Sequence, residues 1–193
     1  LVAARQAMPD RLERAVALLK NFRQVAADQA SEQRRVFDLR QVLGEVLHTL
    51  APSLKREAHT VTLEVPAGIT MDSFPGPLGQ VVINLVNNAY LHAFEGMAQG
   101  TVQLQATATD SQVTLVCQDN GRGIAPETLD KMFMPFFSTR IGSGGTGLGM
   151  SIVDNLVKST LGGSLHVASV QGVGTTITIT LPRVAPVAGR DEG

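Results

Sequence analysis

The sequence predicts an α+β fold, a two-layer α/β sandwich with helices on one face of a mixed sheet and an amphipathic helix in front of it. Two observations predict this. Segments 59–65, 101–109, 112–119, 164–169 and 175–181 alternate apolar and polar residues, the period of a half-buried strand. Residues 39–50, 77–93 and 147–161 carry apolar side chains at helical spacing, and clusters of Gly, Pro, Asn and Asp mark the joints. A chain of 193 residues supports one well-buried domain with an appendage, not two full domains. Sixteen basic and seventeen acidic residues give a net charge of −1, which supplies no pull toward nucleic acid or anionic membrane. No apolar run is long enough to span a bilayer, and Leu1 to Gln6 lack the apolar core of a secretory signal. The single cysteine, Cys117, excludes an intrachain disulfide and a cysteine-cluster zinc site, and fits a reducing, cytoplasmic setting.

In chain order, residues 9–36 read as a helix. Pro9 and Asp10 suit its first turn, and Leu12, Val16, Leu19, Phe22 and Ala26 form one apolar stripe. One such helix cannot bury its stripe alone. It packs on its own domain, or it belongs to a helical dimerisation hairpin whose other half lies upstream. Asp38 can cap a second helix carrying Leu39, Val42, Leu43, Val46, Leu47 and Leu50. A strand over 59–65 follows, then a turn at Pro66 to Gly68 and a loop from Ser73 leading into a helix from about Pro77 to Ala93. Strands 101–109 and 112–119 form a hairpin around Asp110-Ser111. After a short helix at 126–132 and a flexible stretch at 138–145, a helix over 147–161 stops at Gly162-Gly163. Strands 164–169 and 175–181 close the fold, and 184–193 reads as a linker. The expected organisation is therefore 1–37 helix, 38–183 domain and 184–193 tail.

The chemistry is carried by a few short segments. A Gly-x-x-x-x-Gly-Lys-Ser/Thr phosphate loop and a Gly-x-Ser-x-Gly elbow are both missing, and the four histidines lack metal-ligand spacing. Asn84 and Asn88, four apart, share one helix face opposite Val81, Val82, Leu85 and Val86. Asparagine is a poor interior helix residue, and two stacked amide oxygens suit a hard cation such as magnesium. Asp119, at a strand end before Asn120-Gly121-Arg122-Gly123-Ile124, offers an acceptor beside bare backbone. It can accept a hydrogen bond from the exocyclic amine of adenine and would repel the guanine oxygen. Phe133, Phe136 and Phe137 anchor the base of a mobile segment, and Arg140 beyond them can neutralise a phosphate. Gly144-Gly145-Thr146-Gly147-Leu148-Gly149 opens a helix, so its amide groups can approach an anion. Gly172 to Thr176 can bring a hydroxyl toward the base. Each segment has a plainer reading alone, as exposed polar positions, a tight turn or a hairpin. Together they fit one pocket for Mg²⁺ and ATP.

In this order the segments resemble the asparagine, first glycine, phenylalanine and second glycine boxes of the histidine-kinase ATP-binding domain. Gly172 to Thr176 resembles its third glycine turn. That domain belongs to the group shared with gyrase, Hsp90-type chaperones and MutL-type proteins. The resemblance covers residues 38–183 and implies a Bergerat-type ATP-binding fold, with ATP and Mg²⁺ held between the asparagine helix and a flexible lid. Carried over by position, Asn88 matches the magnesium-binding asparagine and Asn84 the polar residue one turn before it. Asp119 matches the adenine-reading aspartate, with Gly121, Gly123 and Ile124 beside the base. Thr139 and Arg140 fall near the phosphates. Gly145, Thr146, Gly147, Leu148 and Gly149 match the phosphate-side glycine box, and Thr175 or Thr176 the threonine near adenine. Leu91 stands where many members carry a phosphate-contacting lysine. His92 beside it either substitutes or fills the aromatic position usual there.

The resemblance implies a protein-histidine kinase of a two-component system, with Asn84, Asn88 and Arg140 as its catalytic residues. Hydrolysing relatives carry glutamate at the position of Asn84, and asparagine cannot act as a base toward water at neutral pH. The helix over 9–36 resembles the second helix of the dimerisation hairpin, with residues 18–22 leading toward Phe37-Asp38-Leu39, and none of the four histidines has the setting of the phosphoacceptor. The implied partners are the chain's own dimerisation and phosphoacceptor helix, a response-regulator receiver domain and a second copy of the full-length protein. The alternatives are a non-catalytic ATP-binding signalling module and a serine or protein kinase of the same nucleotide fold.

Overall fold

The computed structural model describes residues 33–54, 58–137 and 147–186. It opens with strand β1 (Arg35–Asp38). Arg35 and Val36 are therefore strand, a correction to the helix expected over 9–36, whose residues up to 32 lie outside the described part. The boundary expected after residue 37 falls inside this strand. The reason is tertiary: β1 runs antiparallel to β3 (Thr70–Ser73), which sets buried Phe37 opposite buried Met71. Neither strand exceeds four residues, too short for alternation to announce it.

Helix α1 (Leu39–Leu54) begins as the sequence predicts. The Asp38 carboxylate accepts the Gln41 N–H at 3.0 Å and, with its other oxygen, the Gly68 N–H at 2.9 Å. One side chain thus caps the helix and ties it to the turn between β2 (Thr60–Glu64) and β3. Helix α2 (Pro75–Asn88) starts at Pro75 rather than Pro77, because a proline in the first turn forfeits only an amide that had no helical partner. It then widens into a π-helical turn, Ala89–Ala93, where Phe94 N–H bonds the Ala89 carbonyl at 3.2 Å.

Strands β4 (Thr101–Ala108) and β5 (Gln112–Asp119) form the expected hairpin. A single helical turn α3 (Pro126–Leu129) precedes α4 (Gly149–Asn155), which also ends in a π-helical turn, Leu156–Thr160. Strands β6 (Ser164–Val170) and β7 (Gly174–Pro182) follow.

The five-stranded sheet has the order β2-β4-β5-β7-β6, with β2 parallel to β4 and the other pairs antiparallel. This is the mixed sheet of the predicted sandwich. Period-two alternation sends Val102 and Leu104, Val113 and Leu115, Ile177 and Ile179 to one face, all buried. The helices meet them with Leu43, Val81, Val82, Val86, Val153 and Val157, each at 0 % exposure, so the two layers share one core. The opposite sheet face carries Gln103, Gln105, Thr178 and Thr180 and needs no cover.

The tail expected from Val184 onward is part of the fold as far as Pro186. Asp72 N–H bonds Arg183 O at 2.7 Å and Ala185 N–H bonds Asp72 O at 2.9 Å, while Ala185 is 2 % exposed. Entry and exit thus meet at β3, where Arg34 also forms a two-pronged ion pair with Asp72, at 2.9 and 3.0 Å. Among the described residues, no helix is long and apolar enough to cross a membrane.

Candidate functional site

Two polar surfaces face each other across a cavity. One is the polar stripe of α2. Val81, Val82, Leu85 and Val86 are fully buried on its core side, which turns Asn84 and Asn88 away from the core. The other is the end of β5. Period-two alternation continues past Leu115 and Cys117, so Asp119 emerges on the helix-covered face where the strand stops. Between them lies a cavity of about 860 Å³, large enough for a nucleotide-sized ligand.

At the Asp119 end the polar groups are fixed by backbone. Asp119 Oδ1 accepts the Gly121 N–H at 2.9 Å and the Thr175 N–H at 3.2 Å. Burial lifts the carboxyl above the usual carboxylate range, and these two amides act against that lift. Neighbouring Cys117 also lines the cavity, and burial together with the Asp119 charge pushes its thiol up to about 12, leaving an unreactive, apolar-like wall. Thr175 sits opposite Asp119 in the β5–β7 register and is 5 % exposed.

The turn after Asp119 is pinned on both sides. Arg122 N–H bonds Ala93 O at 2.9 Å, tying it to the π-helical turn of α2, and Gly172 N–H bonds Arg122 O at 2.8 Å. Gly123 has φ +70°, and a Cβ there would lie 2.1 Å from Val170 O, so no other residue fits. At the far end, Asn84 Nδ2 is buried and bonds nothing among the described residues. A buried amide donor costs stability unless something accepts from it, and a ligand oxygen in the cavity would do so. Gly149, at the start of α4, stands over Asn84, its position for a Cβ 3.7 Å from Asn84 Oδ1.

The cavity brings together Asn84, Asn88, His92, Asp119, Gly123, Ile124, Gly147, Gly149 and Thr175 from the sequence-derived set. Gly121 stands behind the wall and holds Asp119 in place. Leu148 does not line the cavity; its carbonyl accepts Ser151 Oγ and Ile152 N–H. Thr176, which the sequence left equivalent to Thr175, lies on the opposite sheet face across from Gln118. Gly147 has a backbone reason to be glycine, since φ is +69° and a Cβ would lie 2.5 Å from the Phe136 carbonyl carbon. Thr139, Arg140, Gly145 and Thr146 lie outside the described residues.

Leu91 lines the cavity beside His92 and brings no charge there. Arg122, Gln171, Met132 and Met150 also line it, and sequence reading missed them. Only Arg122 carried a signal, its place inside the turn after Asp119. Ser169 was missed as well: it lies on β6, and its hydroxyl reaches the site only through the fold.

The profile described as histidine kinase-, DNA gyrase B-, and HSP90-like ATPase matches residues 75–185. The sensor histidine kinase ZraS of Salmonella typhi is 40% identical over 111 residues, 58% of this chain and 23% of that protein. The chain therefore spans about a quarter of that curated relative's length. The solved catalytic domain of histidine kinase ThkA superposes with a TM-score of 0.69 at 23% identity, covering 79% of this chain and 97% of that one. Full-length ShkA, solved in complex with AMPPNP, is 25% identical with a TM-score of 0.68, covering 97% of this chain and 39% of that one. The matched stretch, 75–185, runs from the first residue of α2 to the segment docked beside β3 and so contains the whole cavity wall; this chain belongs to the histidine kinase-, DNA gyrase B- and HSP90-like ATPase family.

Proposed function

We propose that this chain is the ATP-binding catalytic part of a two-component sensor histidine kinase. It binds ATP with Mg²⁺ and presents the γ-phosphoryl group to a histidine on a dimerisation helix, for relay to a response-regulator aspartate. One observation carries the reading: Asp119 and Thr175 stand at one end of a single cavity whose far wall bears Asn84 and Asn88. The complex of ShkA with AMPPNP, an adenine nucleotide, supports it.

The residues fit the metal by their chemistry. No group of three or more His, Cys, Asp or Glu among the described residues can hold an ion. Asn84 and Asn88 supply amide oxygens instead, a donor set suited to Mg²⁺ that shares its shell with phosphates and water. When bound, the ion neutralises phosphate charge. The unpartnered Asn84 Nδ2 donates to a phosphate oxygen or to water. Asp119 accepts from the adenine amine, and the phosphate-side roles that the family resemblance gives Thr139, Arg140, Gly145 and Thr146 belong to the same proposal. Positioning and charge neutralisation do most of the work, since phosphoryl transfer needs little covalent help. Asn84 activates no water, so bound ATP persists until the acceptor imidazole attacks in line. The cytoplasmic placement and the dimer of the full-length protein belong to the same proposal.

The test supplies the acceptor hairpin in trans with γ-labelled ATP. Label on histidine supports the kinase; label on serine would replace it with a serine kinase of the same nucleotide fold. A second reading, a non-catalytic ATP-binding module, is favoured by Leu91, which puts an uncharged side chain where a phosphate-contacting lysine is usual. Tight ATP binding with no transfer would establish it.

A further inference from the structure

We propose that Ser169 is a positioning residue for nucleotide selection: it holds the Thr175 hydroxyl turned toward itself, so that Thr175 and Asp119 both present acceptors to the cavity. The inference rests on the adenine reading of the cavity and deepens it.

Three groups touch Ser169 Oγ. Ile124 N–H donates to it at 2.8 Å, Gly174 O lies at 3.1 Å, and Thr175 Oγ1 lies at 2.9 Å. A serine hydroxyl has one hydrogen and two lone pairs. The amide can only donate and the carbonyl can only accept. The Ser169 hydrogen therefore goes to Gly174 O, and one lone pair takes Ile124 N–H. The remaining lone pair takes the Thr175 hydrogen. The reverse arrangement, Ser169 donating to Thr175, would leave Gly174 O facing a lone pair. Thr175 is thereby the donor in the pair, and its oxygen has only lone pairs left for the cavity.

Thr175 lines that cavity opposite Asp119, whose ionised carboxylate likewise carries no hydrogen. Two acceptors side by side suit a ring amino group and repel a ring carbonyl. A site built to bond an amine rejects the oxo analogue because buried acceptors then face an acceptor. Freed from Ser169, the Thr175 hydroxyl can rotate and donate to a carbonyl. Discrimination at the purine 6-position thus depends on a β6 residue behind the wall, not on Asp119 alone.

The test compares ATP with ITP, which replaces the 6-amino group by oxygen, carries a hydrogen on N1 and adds no 2-amino group. Calorimetric titration of the whole protein gives the ratio of the two affinities. Wild type should favour ATP. Ser169→Ala should lower the ratio by about three- to tenfold, chiefly by gaining ITP affinity. Ser169→Thr, which keeps the hydroxyl, should restore it. In a Thr175→Val background, Ser169→Ala should leave the ratio where it is, because no hydroxyl remains to orient. The ratio is read on one folded population, so a lower melting midpoint does not imitate the effect. An unchanged ratio in Ser169→Ala, or an equal change in the Thr175→Val background, overturns the proposal. A wild type that binds ATP and ITP alike overturns the adenine reading beneath it, a result distinct from the other two.

Discussion

Asp119 concentrates the conflict between stability and binding in one side chain. Its carboxyl titrates above the usual range because burial disfavours the charge more than the Gly121 and Thr175 amides restore it. A raised folded pKa means that this group's contribution to stability is present at low pH and is lost as pH rises through the folded value. In the proposed site binding runs the other way, since the ionised form is the stronger acceptor from an amine and carries no competing hydrogen. ATP affinity should therefore fall as pH drops through the raised pKa, before ordinary carboxylates protonate. Asp119→Asn should weaken ATP binding by about 1–3 kcal/mol, remove that pH dependence and leave the melting midpoint equal or higher. Titrations across acid pH, beside melts, check all three. Asn88→Ala should weaken magnesium-dependent nucleotide binding more than it lowers the melting midpoint, because its side chain faces the cavity and not the core. A titration with and without Mg²⁺ decides. The residue types at these positions were legible in the sequence, because a carboxylate at a strand end and two amides on one helix face are local patterns. The choice between Thr175 and Thr176 was not. Alternation says only that they face opposite ways, and the pairing of Thr175 with Asp119 decides which one meets the cavity.

At the scale of elements, the turn after β5 and the turn between β6 and β7 lock together by close backbone approach. Gly123→Ala would drive a Cβ to 2.1 Å from Val170 O at a φ of +70°. That should cost about 1–3 kcal/mol in thermal unfolding, the usual range for such strain, and weaken ATP binding because Gly121 and Ile124 move with the turn. Asp38 makes the opposite pH argument to Asp119. The Gln41 and Gly68 amides hold its carboxyl below the usual range. Its stabilisation is present above the unfolded pKa and is lost as pH falls through the lowered folded value. Asp38→Ala should therefore lower the melting midpoint at neutral pH and lose that effect in strong acid. Helix α1 and its cap were readable because capping is a contact three residues long. The β1–β3 ribbon was invisible, because it joins residues more than thirty apart through two strands of four. The π-helical turns ending α2 and α4 were equally hidden, since helical spacing does not distinguish them from regular turns.

The whole molecule couples a single core to a cavity at its rim. Leu104, at 0 % exposure in β4, belongs to that core, and Leu104→Ala should cost about 2–5 kcal/mol in denaturant unfolding. Ligand linkage tests the cavity without any substitution. ATP with Mg²⁺ at a hundred times its Kd should stabilise the fold by about 2.7 kcal/mol and raise the melting midpoint. The same concentration of GTP should leave it close to its value without nucleotide, and an equal rise with GTP would remove Asp119 from its assigned role. Because Asn84, Asp119 and Thr175 come from α2, β5 and β7, the site forms only when the two layers have packed. Global unfolding and loss of the nucleotide site should therefore coincide in one transition.

The sequence alone determined the five strands of the main sheet, the principal helices and the residue types at the candidate site. Period two, period 3.6, capping and glycine turns are all set by neighbours a few residues away. It placed the sandwich and Asp119, Asn84 and Asn88 in roles that the cavity's geometry accommodates. Only tertiary structure decided that Arg35 and Val36 are strand, that residues 184–186 dock beside β3 and that Thr175 rather than Thr176 turns inward. It also brought Ser169 from β6 behind that threonine. Each of these depends on a pairing between distant segments, and register between strands is fixed by which side chains the shared core can bury, a quantity no single segment contains.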